Sequence, residues 1–293
     1  MSVESRPTPA HVTPSPPHPL SPPAAPPPPS PVPPSPPPAS HSTTGTPGNT
    51  RATRPKVVSR LKRFEPGAIL FDFDGVLVHS EPLHFQAMRD SLAAEGIPLT
   101  ESMYYEQCIG RDDRGAFRAL YERLGKPLSP RTLLRLLATK SRRMREVIHE
   151  GRYHALPGVS ELVRALARHY PLAICSAGLR DEVEAMLEGI GLRDCFLVVT
   201  AAEDVEVGKP DPSGYLQTLR QLGDRTRRAL TPRDALVVED APNVITHVKS
   251  AGFRTLGVAG SVALADLAHA DARVRRLDID SVRAVLPRLR TDV

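Results

Sequence analysis

The sequence has no run approaching the roughly 18 apolar residues of a membrane-spanning helix, and its N-terminus lacks the apolar segment of a secretory signal. No membrane association is expected. Cysteine is scarce: Cys108, Cys175 and Cys195 are the only three. An odd number without metal or redox spacing gives neither a disulfide framework nor a Cys-based metal site. A reduced, cytoplasmic setting is the expectation. Aromatics are missing from the positively charged run "RATRPKVVSRLKR" (51–63), which also shows no complete helical apolar face. Nucleic-acid binding is therefore not expected, and the run reads as a solvated linker. No internal repeats occur.

What the chain does have is unevenly placed. Of its 32 prolines, 19 lie in residues 1–50, in runs such as "PPAAPPPPSPVPPSPPP" (22–38). Proline fixes φ and removes backbone donors, so this composition favours extended polyproline II and cannot build a core. Residues 1–63 are expected to form a disordered, proline-rich and basic tail. The tail is poor in acids, as organelle transit peptides are, but its proline content does not suit an amphipathic one. The formal net charge of +5 belongs to this tail: residues 1–63 carry seven Lys/Arg and one Glu, the remainder 31 Lys/Arg and 32 Asp/Glu. Its PxxP runs could make weak contacts with aromatic-lined domains.

From residue 64 onward, short apolar runs alternate with amphipathic segments. "AILFDF" (68–73), "LAICSA" (172–177), "FLVVT" (196–200), "ALVVED" (235–240) and "TLGVAG" (255–260) read as buried strands, each bounded by Gly, Pro or acids. Between them "PGVSELVRALARHY" and "RDEVEAMLEGIG" place apolar residues at helical spacing, with Pro157 near one start and Gly191 as a C-cap. The alternation predicts an α/β, Rossmann-like, doubly wound parallel sheet. Residues 84–154 break it, with helical patterns and no strand. The expected organisation is a core of residues 64–83 and 155–293 with an inserted α-helical cap, 84–154.

The strand ends carry the chemistry. In an open parallel sheet, ligands bind beyond the carboxyl ends of the strands at the topological switch point. There the pattern puts Asp72 and Asp74 after the first strand, Ser176 after the second, Lys209 on the loop after the third, and Glu239 and Asp240 after the fourth. Four converging carboxylates require a cation, and an all-oxygen set suits Mg²⁺. Such a site serves phosphoryl transfer, in which one aspartate attacks phosphorus and another shuttles protons. The glycine that follows, Gly75, lets the backbone turn sharply beside the phosphate.

"DFDGVLVHSEPLH", "ICSAG", "EDVEVGKPDP" and "VVEDAPNVITHVKSAG" resemble the four ordered motifs of the haloacid dehalogenase-like superfamily, in the subgroup with a small helical cap after the first motif. The resemblance covers about residues 66–285 and leaves the tail unmatched. A lone DxD is weak; four motifs in order, each at a strand end, are specific. The resemblance implies that Asp72 is the nucleophile and Asp74 the acid/base. Gly75, Ser176, Ala177 and Lys209 would meet the phosphoryl group, and Lys209 would steady Asp72. Asp240 would ligate Mg²⁺ with Asp72 and the backbone carbonyl of Asp74, and Glu239 would either ligate as well or support the ligands. An aspartate at position 74 points to phosphate esters, because the dehalogenases and phosphonate-cleaving members lack it. A small phosphorylated metabolite is the expected partner, most simply a sugar phosphate. A β-phosphoglucomutase-type transfer and a catalytically idle binding protein are the alternatives.

Several positions depart from the family pattern. His79 replaces a usual aspartate, as an altered hinge, a phosphate contact or a tolerated change, with Ser80 still capping the next helix. His84 could face substrate or pack at the hinge. Arg111 and Arg114, in "CIGRDDRGAF", could clamp an anionic substrate or belong to a solvated charge cluster. β-Phosphoglucomutases place an arginine where this chain has Asp113. Val244, at a frequent glycine, is expected to crowd the start of the helix after Asp240.

Overall fold

The five apolar runs form β1 (Ala68–Phe71), β2 (Leu172–Cys175), β3 (Val198–Thr200), β4 (Ala235–Glu239) and β5 (Arg254–Val258). The computed structural model describes residues 60–292, so the expected tail up to residue 59 lies outside the described residues. A sixth strand, β6 (Ala272–Val274), has three residues and an exposed Arg273 at its centre. It offers no continuous apolar run, and the sequence reading did not identify it. All six strands are parallel, in the order β3-β2-β1-β4-β5-β6. The chain moves outward from β1 through β2 and β3, then returns to lay β4 on the other side of β1. That reversal opens a crevice at the carboxyl ends of β1 and β4. The register pairs Phe71 with Ile174 and with Val238, so Asp72 emerges level with the end of β2 and beside Glu239.

The helical interval holds α1 (Glu81–Ala93), α2 (Glu101–Gln107), α3 (Asp113–Arg123) and α4 (Pro130–His149). Thr100, Asp112 and Ser129 cap α2, α3 and α4 by accepting the backbone N–H three residues on. At α1 the expectation fails: Ser80 occupies the N-cap position, but its hydroxyl donates to Asp74 Oδ1 instead of capping the helix. In α4 the inward stripe runs Leu136, Lys140, Met144, Val147, all buried, with a lysine among the apolar side chains.

The remaining helices are α5 (Val159–Ala167), α6 (Arg180–Gly189), α7 (Ser213–Thr226), α8 (Pro242–Ser250) and α9 (Ile279–Val285). Gly191 follows α6 with φ 66° and its N–H on Glu188 O, the left-handed ending that glycine tolerates. Val244 does not disturb α8; it is buried within a regular helix. The crowding falls on the cap instead. Gly110, at φ 70°, leaves no room for a Cβ, which would lie 2.6 Å from Ala241 Cβ and 3.0 Å from Val244 Cγ2.

Alternate residues of β1 feed two apolar layers. Ile69 and Phe71 pack with Val163, Ile174, Met186 and Leu236. Ala68 and Leu70 pack with Tyr215, Leu219 and Val237, in a layer continuous with Met88, Phe117 and Leu120 of the helical interval. Leu61 is buried in the first layer, so packing reaches into the segment that the sequence reading gave to the tail. The chain leaves the sheet and returns to it side by side: His79 N–H donates to His154 O (3.1 Å) and Leu156 N–H to Leu77 O (3.0 Å). His79 is exposed at this crossing, its ring 5.5 Å from that of His154. Among the described residues no helix is long and apolar enough to cross a membrane.

Candidate active site

Asp72 sits one residue past β1, fixed by its N–H on Val238 O (2.9 Å). Lys209 reaches it from the loop after β3, with Nζ 2.5 Å from Asp72 Oδ1 and 2.9 Å from Glu239 Oε2. Tyr215, from the first turn of α7, donates its hydroxyl to Glu239 Oε2 at 2.7 Å and lies 3.1 Å from Lys209 Nζ. The other oxygen of Glu239 accepts the N–H groups of Asp240 and Ala241, both at 3.1 Å. Glu239 thus carries four hydrogen bonds and ties Lys209 to the turn after β4. Burial sets the Lys209 ammonium against its own charge, but Asp72 and Glu239 outweigh that and raise its pKa.

Asp72, Glu239 and Asp240 are all buried, and each offers a carboxylate oxygen within 4.8 Å of the others. Burial, followed by repulsion from Glu239, pushes Asp72 and Asp240 well above the ordinary carboxylate range. Buried carboxylates in mutual repulsion are the electrostatic condition that a divalent cation relieves, and an all-oxygen donor set matches Mg²⁺. The residues fit such an ion. Asp240 is aimed by the Ser261 N–H on its Oδ2 (3.1 Å). Gly75 makes that aim possible, because at φ 75° a Cβ would overlap Asp240 Oδ2 and crowd Ser261 Oγ at 2.6 Å. Its close approach is therefore to Asp240.

Asp74 has a different environment. Its Oδ1 accepts from Ser80 and lies 3.1 Å from His84 Nε2, while Oδ2 points toward the loop at Gly178. Burial alone would raise its pKa; the charge and hydrogen bond of His84 and the Ser80 hydroxyl reverse this and hold it at about 2. His84 is buried too, which opposes its charge, as does Lys140, yet Asp74 and Glu81 leave its pKa raised. Two aspartates one residue apart therefore have opposite proton affinities.

The cleft between sheet and cap is a cavity of about 50 Å³. Asp72, Asp74, His84, Arg111, Ala177, Lys209 and Asp240 line it; the expected site residues Gly75, Ser176 and Glu239 do not. Ser176 accepts the Gly178 N–H on its hydroxyl oxygen at 2.9 Å and so shapes the loop that presents Ala177 and Gly178. Arg114 lies in a neighbouring cavity with Asp112, Leu137 and Leu179. Sequence reasoning missed Glu81 and Tyr104, which also line the cleft, with the Tyr104 hydroxyl donating to Glu81 Oε2 at 2.6 Å. It missed Tyr215 and Lys140 as well. Lys140 had a readable signal, a cation in an otherwise apolar helical stripe.

Residues 69–258 match the sequence model of the haloacid dehalogenase-like hydrolases. The chain belongs to that family: it is an enzyme, a hydrolase with a Rossmann-like sheet. Protein CbbY of Rhodobacter capsulatus is 31% identical over 225 residues, covering 74% of this chain and 96% of that protein. A phosphorylated carbohydrates phosphatase of Thermotoga maritima is 31% identical over 198 residues, covering 67% and 86%. The solved structure of CbbY from Rhodobacter sphaeroides in complex with phosphate superposes with a TM-score of 0.63 at 26% identity, over 72% of this chain and 95% of that one.

Proposed function

We propose that this protein is a Mg²⁺-dependent phosphatase that hydrolyses a small phosphorylated metabolite, a sugar phosphate in particular, through an aspartyl phosphate on Asp72. The observation that carries the reading is the joint lining of one cavity by Asp72, Asp74, Lys209 and Asp240. The relatives support the substrate class, since one is named for phosphorylated carbohydrates. The small cleft, with Glu81, Tyr104 and Arg111 on its cap side, suits a compact polar leaving group.

Asp72 and Asp240, with the backbone carbonyl of Asp74, would hold the ion, which supplies positive charge against the repulsion between Asp72 and an anionic ester. We assign Glu239 to support, because its oxygens already accept four hydrogen bonds. An oxygen of Asp72 forms the new bond to phosphorus as the ester P–O bond breaks, and Lys209 holds the attacking carboxylate in place. The departing oxygen takes a proton from Asp74. With its pKa at about 2, Asp74 is ionised in the resting site. Approach of the phosphoryl charge raises its proton affinity, so that Asp74 takes up a proton from solvent on Oδ2 as the ester binds, while His84, 3.1 Å from Oδ1, holds the carboxyl group in place. Asp74 then removes a proton from the attacking water, and the P–O bond to Asp72 breaks to release phosphate. Ser80 and His84 keep Asp74 Oδ1 occupied, so Oδ2 is the working oxygen.

Hydrolysis fits better than phosphoglucomutase-type transfer. Asp113, where those mutases place arginine, pairs with Lys140 at 2.9 Å and adds no cation for a second phosphate. The test is a screen of the purified protein with Mg²⁺ against a panel of phosphorylated metabolites, reading inorganic phosphate, with Asp72→Asn as blank. Release by the wild type alone supports the reading. Equal behaviour of the two proteins would favour a binding module, and isomerised sugar phosphate without free phosphate would favour the mutase.

A further inference from the structure

Lys140 and Glu182 face each other across the boundary between the helical interval and the sheet. Lys140, on α4, is held by Asp113 Oδ2 at 2.9 Å and lies 3.8 Å from Glu182 Oε2, on α6. Both residues are 1% exposed. Neither oxygen of Glu182 accepts a hydrogen bond. A buried carboxylate with a long ion pair and no hydrogen bond keeps most of its desolvation cost. Its charged form is disfavoured where it stands: burial raises its pKa to about 7, against the opposing charges of Lys140 and His84, while Asp113 and Asp74 add to the rise. The other charged groups at this contact are already paired, Arg145 with Asp181 at 3.7 Å and Arg180 with Glu184 at 3.6 Å.

The hydrolytic steps do not use Glu182. Its contact with Lys140 exists while the cap is seated, with Gly110 against Ala241 and a Cβ on Gly208 leaving only 2.8 Å to Asp112 Cγ. Lifting α4 from α6 returns both charges to water, where a glutamate has an ordinary pKa of about 4.3. We propose that Glu182 is a positioning residue that acts through Lys140 and makes cap closure proton-linked, the seated cap binding a proton that the open cap releases. This rests on the phosphatase reading above, and it adds the regulation of that site. Above the raised range Glu182 is ionised in both states, and the seated form bears the whole cost of burying its charge. Below the ordinary carboxylate range it is neutral in both, and the cost vanishes. Closure is favoured as pH falls, and reopening as pH rises.

Glu182→Gln keeps the shape and removes the charge. Thermal unfolding without ligand needs no catalysis: the variant is expected to melt higher than wild type at pH 8, with the gap shrinking as pH falls through the raised range and closing only below the ordinary carboxylate range. Titration calorimetry with inorganic phosphate and Mg²⁺, in two buffers of different ionisation enthalpy at pH 7, reads the linkage itself. Wild type should take up about half a proton more than Glu182→Gln on binding, and at pH 8 the variant should bind phosphate about tenfold more tightly or better. Lys140→Met, which leaves Glu182 without its cation, should move the stability step to higher pH. Equal proton uptake by wild type and Glu182→Gln, or a melting difference independent of pH, overturns the proposal, as does a step that Lys140→Met fails to move. If phosphate binds neither protein, the phosphatase reading falls, while the melting curves still decide whether Glu182 carries the buried proton.

Discussion

Replacing Lys209 by methionine tests the electrostatic construction of the site most severely. The side chain is nearly fully buried, and its ammonium is 2.5 Å from Asp72 and 2.9 Å from Glu239. Methionine fills the volume of the stem but leaves two buried carboxylates facing each other, with Asp240 in the same cluster. Removing one partner from a buried ion pair typically costs about 3–5 kcal/mol, and here the cation serves two acids. Urea unfolding at pH 7.5 without divalent ions should show a loss in that range. The sign with pH follows from Asp72, whose pKa is already raised by burial and by Glu239. Without Lys209 it rises further, so the loss is full at neutral pH and shrinks as acidification neutralises the carboxylates. Added Mg²⁺ should recover part of the loss by replacing the missing positive charge, without restoring phosphate release. A Lys209→Met protein within 1 kcal/mol of wild type at pH 7.5 would refute the reasoning, since a typical buried pair exceeds that.

Three further outcomes are expected. Ser80→Ala removes a hydrogen bond from a partly buried carboxylate and should cost about 1–3 kcal/mol; because the Asp74 pKa is depressed to about 2, the deficit should be present above the ordinary carboxylate range and disappear toward low pH, as denaturation at a series of pH values will show. Gly75→Ala places a Cβ on Asp240 Oδ2 at φ 75° and should cost about 1–3 kcal/mol in strain, with a rise in the Mg²⁺ concentration for half-maximal phosphate release. Deleting residues 1–58 should leave turnover within about twofold of the full chain, because the described residues that line the cleft all lie between Asp72 and Asp240; a large fall in steady-state rate would make the segment part of the enzyme.

Much of this architecture was legible because strands buried on both faces leave continuous apolar runs, and β1, β2 and β4 are buried at every position. The acids that end β1 and β4 stand out against such runs, and the strand order brings them together. β6 was illegible for the converse reason: three residues around an exposed Arg273 carry no apolar signature. Ser80 was misread because local rules give a serine before a helix to the cap, whereas the partly buried Asp74 carboxylate is the stronger acceptor. Val244 was judged against its own helix, but its neighbour is Gly110, more than a hundred residues earlier in the chain. Lys140 stands out as a cation in an apolar helical stripe, but its partner does not: Glu182 looked like an ordinary charged helical residue, and only their meeting across the interface shows the buried pair. Pairings between distant segments are what a single sequence conceals.

The central claim is that Asp72 carries the phosphoryl group in transit. Its most direct test is rapid acid quenching of the wild-type enzyme during turnover with Mg²⁺ and the best substrate from the panel, then borohydride reduction and peptide mass analysis. An acyl phosphate on the peptide containing Asp72, reduced to homoserine at that position and absent in Asp72→Asn, is the predicted result. Rapid phosphate release with that aspartate unmodified at every quench time, or persistence of release in Asp72→Asn, would contradict the account.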